Sequence, residues 1–394
     1  MNRRYFLMSS AAATASARVR LQSPNDTVRV AVVGCGGRGN SHMGAWTSMQ
    51  NVELAALVDV DDSHSERFIG ALQRREKKPV PTFRDIRKVL EDKNVDAVSI
   101  ATPNHWHTLQ TIWACQAGKD VYVEKPCSHN VFESRQIVAA ARKYNRMVQM
   151  GSQSRSSAAL QEAVQKLKSG EFGDVYMARA LCFKARNTIG KTPVEPVPPG
   201  VDYDMWTGPA PLRPFTKNRF HYNWHWFWDT GNGDLGNQGI HEVDIARWGM
   251  GVTHPTKVNA MGGKFMFDDD QETPNTITAS LEFMVNGKPK MMVFDTRHWY
   301  SNHEAGIGGE RAGNTIGNTF FGSNGYLAID GYNKYQSWMG REGKPGPTNT
   351  SRDSHFENFI SAVRSRKRQD LNAEIDEGAI SCVLMNLSNV AYRV

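Results

Sequence analysis

Val28-Arg-Val-Ala-Val-Val33, followed by Gly34-Cys-Gly36-Gly37-Arg38-Gly39, decides the reading of this chain, because an apolar strand runs straight into G-x-G-x-x-G. In that arrangement the first glycine makes a tight turn, the second lets the backbone approach a pyrophosphate, and the third lets the next helix pack close to the strand. The N-terminus of that helix then offers its free N–H groups to phosphate oxygens. The context that the motif needs is present downstream. A second apolar run, Val52 to Val58, ends in Asp59, twenty residues after Gly39, where a carboxylate accepts the hydroxyls of an adenosine ribose. The stretch predicts a dinucleotide-binding βαβ unit with Gly34, Gly36, Gly37, Arg38, Gly39 and Asp59 among its cofactor contacts.

Asp59 also bears on which dinucleotide is bound. A carboxylate there repels a 2′-phosphate, and Asp61 and Asp62 follow it, so NAD is expected ahead of NADP. Arg38 is the counterweight: it can reach a phosphate, although an Arg inside the glycine turn equally meets the pyrophosphate or solvent.

The pattern after Asp59 alternates strands with helices. Asp96 to Ile100, Asp120 to Val123 and Met147 to Met150 read as further strands with an apolar helix between the first two, the spacing of a doubly wound parallel sheet. From Gly151 the pattern changes. Asp174 to Phe183 is a long strand, a Pro-rich loop runs from Val194 to Pro199, and Thr276–Phe283 with Lys290–Phe294 read as a hairpin joined through Asn286-Gly287. The expected organisation is α/β throughout. It comprises a signal segment at 1–25, a Rossmann domain at 26–151, and an α+β domain with an open, mostly antiparallel sheet at 152–394. The uncovered face of that open sheet predicts a homo-oligomer. The apolar helical pattern from Phe356 is still running at Val394, so a truncated C-terminus is expected.

At 394 residues the chain can build two cores, and no membrane-spanning run is present. The N-terminus carries the twin arginine Arg3-Arg4, a short weakly apolar segment and Ala15-Ser-Ala17, the build of a twin-arginine export signal. Export of a folded protein predicts a tightly held cofactor and a periplasmic location; without the signal the location is cytoplasmic. Arg3, Arg4, Arg18 and Arg20 supply four of the seven net positive charges and leave three, which is not a nucleic-acid footprint. The five cysteines are odd in number and widely spaced, so neither a disulfide framework nor a metal site is expected.

Three clusters carry the chemistry. The strand Asp120–Val123 runs into Glu124-Lys125-Pro126 at the carboxyl edge of the sheet, where the nicotinamide end of a dinucleotide lies. Pro126 fixes that turn, a cis bond being one way to do so. Thr102-Pro103-Asn104-His105-Trp106-His107 ends the neighbouring strand at the same edge, which adds Thr102, Pro103, Asn104, His107, Glu124 and Lys125 to the cofactor contacts. Gly233-Asp234-Leu-Gly236-Asn237-Gln-Gly239-Ile-His241 puts glycines where a backbone can approach a ligand, with Asn237 and His241 on the ligand side. His241 is suited to take a proton from a hydroxyl while hydride leaves the same carbon. Lys125 would stabilise the developing alkoxide. The aromatic stretch Arg219–Asp229 suits the C–H faces of a sugar, and Tyr222, His225 and Trp226 are expected nearest the substrate.

With these motifs together, the chain resembles the glucose-fructose oxidoreductase / inositol dehydrogenase (Gfo/Idh/MocA) family from Val28 onward. The matching parts are the glycine turn, the T-P-x-x-x-H turn at Thr102–His107, E-K-P at Glu124–Pro126, and a D-x-G-x-H motif at Asn237–His241. The resemblance implies an NAD(P)-linked redox reaction on a sugar, cyclitol or glycoside, with Lys125 as substrate-orienting catalytic lysine and His241 as acid/base. One departure stands out: Asn237 stands where the family has an aspartate, so either the proton relay is altered or Asp234, Glu242 or Asp244 replaces the lost charge. Beside a dehydrogenase, the chain is compatible with a glycosidase that uses bound NAD for transient oxidation, elimination and re-reduction. A dinucleotide-binding sensor without turnover is the third reading, opposed by the retained Lys125 and His241.

Overall fold

A computed structural model describes residues 27–74, 79–304, 306–308 and 314–394. The proposed export segment at 1–25 lies outside them. The first unit alternates β1 (Val28–Val33), α1 (Gly37–Ser48), β2 (Val52–Val58), α2 (Asp62–Gln73), β3 (Thr82–Phe83), α3 (Ile86–Leu90), β4 (Ala97–Ile100), α4 (Asn104–Gln116), β5 (Asp120–Val123), α5 (Val131–Lys143) and β6 (Val148–Met150). These form a parallel sheet in the order β3-β2-β1-β4-β5-β6, with the reversal between β1 and β4 that opens a ligand crevice at the carboxyl edge. Strand β3 is the one element of this sheet that the sequence pattern does not announce; its two residues are too few to show any period.

Residues alternate across β1. Val30 and Val32 face a core with Trp46 and Leu57, whereas Ala31 and Val33 face a second core that is continuous with the other unit. Both faces are therefore covered, as a parallel sheet requires.

The second unit contains α6 (Ala158–Lys168), β7 (Val175–Phe183), α7 (Tyr203–Thr207), α8 (Ile240–Met250), β8 (Lys257–Gly263), β9 (Thr276–Val285), β10 (Lys288–Arg297), β11 (Thr315–Gly322), β12 (Gly325–Asp330), β13 (Lys334–Met339), β14 (Lys344–Pro345), β15 (Asn349–Thr350), α9 (His355–Ser365) and α10 (Ile375–Arg393). Its nine-stranded sheet follows the order β14-β13-β12-β11-β7-β10-β9-β8, with β15 beside β13. Only β10 and β7 run parallel within it. The β9–β10 hairpin turns at Asn286 (φ 51°) and Gly287 (φ 76°), the left-handed pair of a tight two-residue turn.

Helix α8 covers the inner face through Ile240, Val243 and Ala246, while Met177, Met261, Met291 and Val293 lie at least partly exposed. One segment crosses the expected domain boundary. Phe359, Ile360 and Val363 of α9 are buried with Val30 and Trp46 of the first unit, and Phe356 stacks on Tyr122. Residues of α9 thus complete the first sheet's cover although they follow position 152. Among the described residues no helix is long and apolar enough to cross a membrane.

Candidate active site

The glycine turn is built by close packing. Gly34 has φ +85°, and a Cβ there would lie 2.7 Å from the Ala101 carbonyl oxygen. A Cβ on Gly39 would lie 1.8 Å from the Gly34 oxygen, whereas one on Gly37 meets nothing within 4 Å. So Gly34 and Gly39 bring strand and helix together, and Gly37 faces open space at the start of α1. Asp59, just past β2, accepts the Cys35 N–H at 2.6 Å and the Asp61 N–H at 2.9 Å, which holds its carboxylate at the lip of the turn. A bare backbone beside free helix N–H groups, with an ordered carboxylate one strand away, fits a dinucleotide.

A cavity of about 840 Å³ runs from Gly34, Gly36, Gly37, Arg38 and Asp59 past Thr102, Pro103, Asn104 and His107 to Glu124, Lys125, Tyr222, His225 and Asn237. The sequence-predicted cofactor residues are thus gathered on its wall, except Gly39, which is used for packing. Several of them spend their polar atoms on the frame. His107 sits between the carbonyls of Pro126 and Thr102, 2.7 Å from each, and burial lowers its pKa. Asn104 donates to Asn232 at 2.9 Å and Thr102 to Gln110 at 2.9 Å. His107 and Asn104 therefore brace the turns around the cavity.

Glu124 is buried beside a cis Lys125–Pro126 bond. Its Oε1 accepts from Arg38 at 2.7 Å and lies 3.0 Å from His42 Nε2. Burial opposes ionisation of Glu124, but Arg38 and the His42 hydrogen bond outweigh it and hold the carboxyl well below its usual range. Arg38, left open between phosphate and solvent by the sequence, is seated on this carboxylate. Lys125 Nζ donates to the Asn237 carbonyl at 2.6 Å, joining the two units across the cleft. Burial lowers the Lys125 pKa, with Glu124 opposing.

Asn237 lies in a single π-helical turn, Leu235–Gly239, that leads into α8, a distortion common where a helix presents a functional group. The adjacent glycines do not serve a ligand as expected. A Cβ on Gly236 would lie 2.4 Å from Asn232 Cβ, and one on Gly239 2.4 Å from the Phe294 ring, so both are required by internal packing. His241 is 7% exposed, is absent from the cavity wall, and has a buried Nδ1 without a hydrogen-bond partner. Burial, with Lys125 second, lowers its pKa to about 3. It is thus neutral, but a weaker proton acceptor than a near-neutral histidine.

The expected substitutes for the missing aspartate are engaged elsewhere. Asp234 is held by Arg186 at 2.8 Å and lies 2.7 Å from His298. Asp244 is held by Arg155 at 2.7 Å. Glu242 accepts from Gln238 at 3.0 Å, and burial pushes its pKa up to about 8. The Asn237 amide reaches the Tyr222 hydroxyl at 3.4 Å.

Of the three expected sugar-facing residues, Tyr222 is exposed and His225 half-buried at the cavity. Trp226 is corrected: it is 3% exposed and backs the Arg186 guanidinium at 4.9 Å, out of the cavity. Its place inside a short 3₁₀ segment, His221–Trp226, turns neighbouring side chains in different directions, which an aromatic count cannot resolve. The sequence reading also passed over His64, Trp106, Phe220 and His221 on the wall; His221 stood inside the quoted aromatic stretch, five residues before Trp226.

Comparison with known proteins agrees with this architecture. Residues 28–152 match the "Oxidoreductase family, NAD-binding Rossmann fold" description of Gfo/Idh/MocA. Residues 176–277 match that family's "C-terminal alpha/beta domain". A glycosyl hydrolase family 109 protein of Shewanella baltica is 35% identical over 122 residues, spanning 30% of this chain and 27% of that protein. An alpha-N-acetylgalactosaminidase of Shewanella oneidensis is 34% identical over the same shares. The chain thus matches about a quarter of the length of these curated relatives. Among solved structures, the WlbA dehydrogenase of Bordetella pertussis with NADH and UDP-GlcNAcA has a TM-score of 0.67 at 20% identity, over 93% of this chain and 97% of that one. Aldose-aldose oxidoreductase of Caulobacter crescentus gives 0.69 at 18%, over 93% and 98%.

Proposed function

The chain belongs to the Gfo/Idh/MocA family of NAD-binding oxidoreductases, and from that premise we propose that it oxidises or forms a secondary hydroxyl on a sugar, cyclitol or glycoside. The observation that carries the reading is Lys125, which follows β5 at the carboxyl edge of the first sheet, where a bound nicotinamide would lie, lines the cavity and is tied to Asn237 of the second unit. Gly34, Gly36, Gly37, Asp59 and Thr102 would hold the dinucleotide, with NAD ahead of NADP because of the Asp59 charge. When bound, the nicotinamide supplies the redox chemistry, exchanging a hydride with the substrate carbon.

The remaining chemistry belongs to the chain. As the neutral amine that burial favours, Lys125 Nζ has two N–H donors and one lone pair; one donor is used on the Asn237 carbonyl, and the lone pair is left for the proton of the reacting hydroxyl. We place the proton of the reacting hydroxyl on Lys125, whose pKa burial has lowered, and charge stabilisation there as well. His241, kept neutral by burial, serves as a secondary hydrogen-bond partner in the relay. Tyr222 and His225 line the space left for the substrate.

A second reading has one observation in its favour, the 34–35% identity to glycosyl hydrolase family 109 proteins and an alpha-N-acetylgalactosaminidase. In it the same site oxidises a glycoside, eliminates the aglycone and reduces the product on a retained NAD. NADH absorbance followed against free sugars, cyclitols and glycosides, with aglycone release measured together, separates the two. Net NADH supports the dehydrogenase. Aglycone release without net NADH supports the glycosidase, and neither signal across the panel removes both.

Two further expectations belong to this proposal. Export through the twin-arginine route rests on Arg3-Arg4 and Ala15-Ser-Ala17. Self-association through the nine-stranded sheet is supported by Met261 and Met291, which are 78% and 42% exposed, an apolar surface that a second copy would cover.

A further inference from the structure

The long connection between β7 and the π-helical turn does more than shape the substrate end of the cavity. Its residues Tyr203, Trp206, Phe215 and Phe220 form a small buried aromatic cluster, against which Val60 of the first unit and Val201 pack. Backbone hydrogen bonds fasten the segment to the end of β2: Asp202 N–H donates to Val60 O at 2.9 Å, and Asp62 N–H donates to Gly200 O at 3.1 Å. A second fastening lies on α4, where the Trp206 carbonyl accepts from Trp106 Nε1 at 3.0 Å and lies 3.1 Å from His105 Nε2.

The fastened segment ends at His221, whose backbone is held at φ 50°, a left-handed conformation uncommon for a residue with a Cβ. That backbone sets the imidazole 3.2 Å from Asp61 Oδ2 and 4.9 Å, ring to ring, from His64. His64 in turn lies 3.1 Å from Asp59 Oδ2, and its ring is the first thing a Cβ on Gly36 would meet, at 3.1 Å. Thus the carboxylate that marks the adenosine ribose, the glycine that marks the pyrophosphate, and a histidine from each unit meet at one end of the cavity.

We propose that residues 200–221 roof the adenosine end of the groove, that His64 and His221 hold the ribose there, and that the dinucleotide is therefore retained from one turnover to the next. The inference rests on the dinucleotide reading above and adds to it a route of entry and exit. Departure of the cofactor requires the His64–His221 contact to part and the aromatic cluster to lift from Val60. The Asp59 and Asp61 carboxylates accept from His64 Nδ1 and His221 Nε2, which leaves His64 Nε2 and His221 Nδ1 of the neutral rings to accept from ribose hydroxyls.

The test uses the full chain loaded with NADH, with bound nicotinamide fluorescence followed after adding excess NAD. The variants are His221→Gly, which removes the ring at a backbone angle glycine accepts, and His64→Ala. Circular dichroism and Tm on each variant establish that the fold is kept. Wild type is expected to release NADH more slowly than it turns over, and each variant to release it about tenfold faster, the scale of one lost hydrogen bond. Release at the wild-type rate from both folded variants overturns the roof. So does acceleration of wild-type release by EDTA, which would assign the Asp61, His64 and His221 cluster to a metal ion. A wild-type chain that binds no NADH at all overturns the dinucleotide reading, and the roof with it.

Discussion

Lys125 reaches across the cleft to the main-chain oxygen of Asn237 at 2.6 Å, so the substitution of asparagine for the family's aspartate leaves this link untouched: a carbonyl is the same in either residue. What changes is the side chain, which is turned to Tyr222.

Lys125→Ala is accordingly expected to lower kcat/KM by about 10²- to 10³-fold, the effect of removing one charge-stabilising donor. His241→Ala should cost less, on the order of tenfold, the scale of one lost hydrogen bond, because the ring stands off the cavity wall. Steady-state kinetics on both variants with one substrate decides the order; a larger loss at His241 would reassign the proton.

Gly37 and Gly39 separate folding from binding. Gly39→Ala puts a methyl 1.8 Å from the Gly34 oxygen and should cost about 3 kcal/mol or more of stability. Gly37→Ala meets nothing within 4 Å, so its Tm should match the parent while NADH affinity falls. Thermal unfolding paired with fluorescence titration checks both.

Asp59→Ser should shift preference from NADH toward NADPH by on the order of tenfold, through loss of one repulsive charge near the 2′ position. Comparative titration with the two reduced dinucleotides measures it, and an unchanged ratio would show that Asp59 does not select.

Acid should unfold the protein through buried histidines. Burial lowers the pKa of His105 to about 3 and of His355 to about 4 from 6.5. Their folded-state values are depressed, so the stability they contribute is full above pH 6.5 and falls with pH until about 3 to 4. His64, raised by its hydrogen bond to Asp59, has the opposite sign. Glu242, raised to about 8, also has the opposite sign and loses stability as pH rises from 4.5 to 8. Glu242→Gln, which keeps an amide carbonyl for Gln238, should therefore raise Tm above pH 8 and leave it nearly unchanged below 4.5. Tm profiles of parent and variant across that range check both statements.

Arg155→Met should cost about 3–5 kcal/mol, because it strands the buried Asp244 carboxylate. Denaturant unfolding measures the loss. The double variant Arg155→Met with Asp244→Leu should recover much of it.

The parts legible in sequence are those whose chemistry is local. The glycine turn, Asp59 at its spacing, the Glu124-Lys125-Pro126 edge and the Asn286-Gly287 hairpin each state their geometry within a few residues, and the fold follows them. The two-residue β3 has no period to read. Gly236 and Gly239 look like ligand-facing glycines until Asn232 and Phe294 are seen against them. His64 and His221 stand far apart in the chain and meet only because the aromatic cluster around Trp206 seats on Val60, a long-range packing event with no local sign. Trp226 was misplaced for the same reason: its partner, Arg186, lies forty residues earlier.

The return of α9 to the first sheet governs the order in which this molecule can be completed. During synthesis the face of β1 bearing Val30, together with Trp46, emerges more than 300 residues before Phe359 and Ile360 arrive to cover it. A ribosome adding roughly 5–20 residues per second leaves that apolar face open for tens of seconds. The first unit is thus the earliest to form its strands and among the last to be sealed, and a nascent chain stopped before α9 would expose it to chaperones or to aggregation.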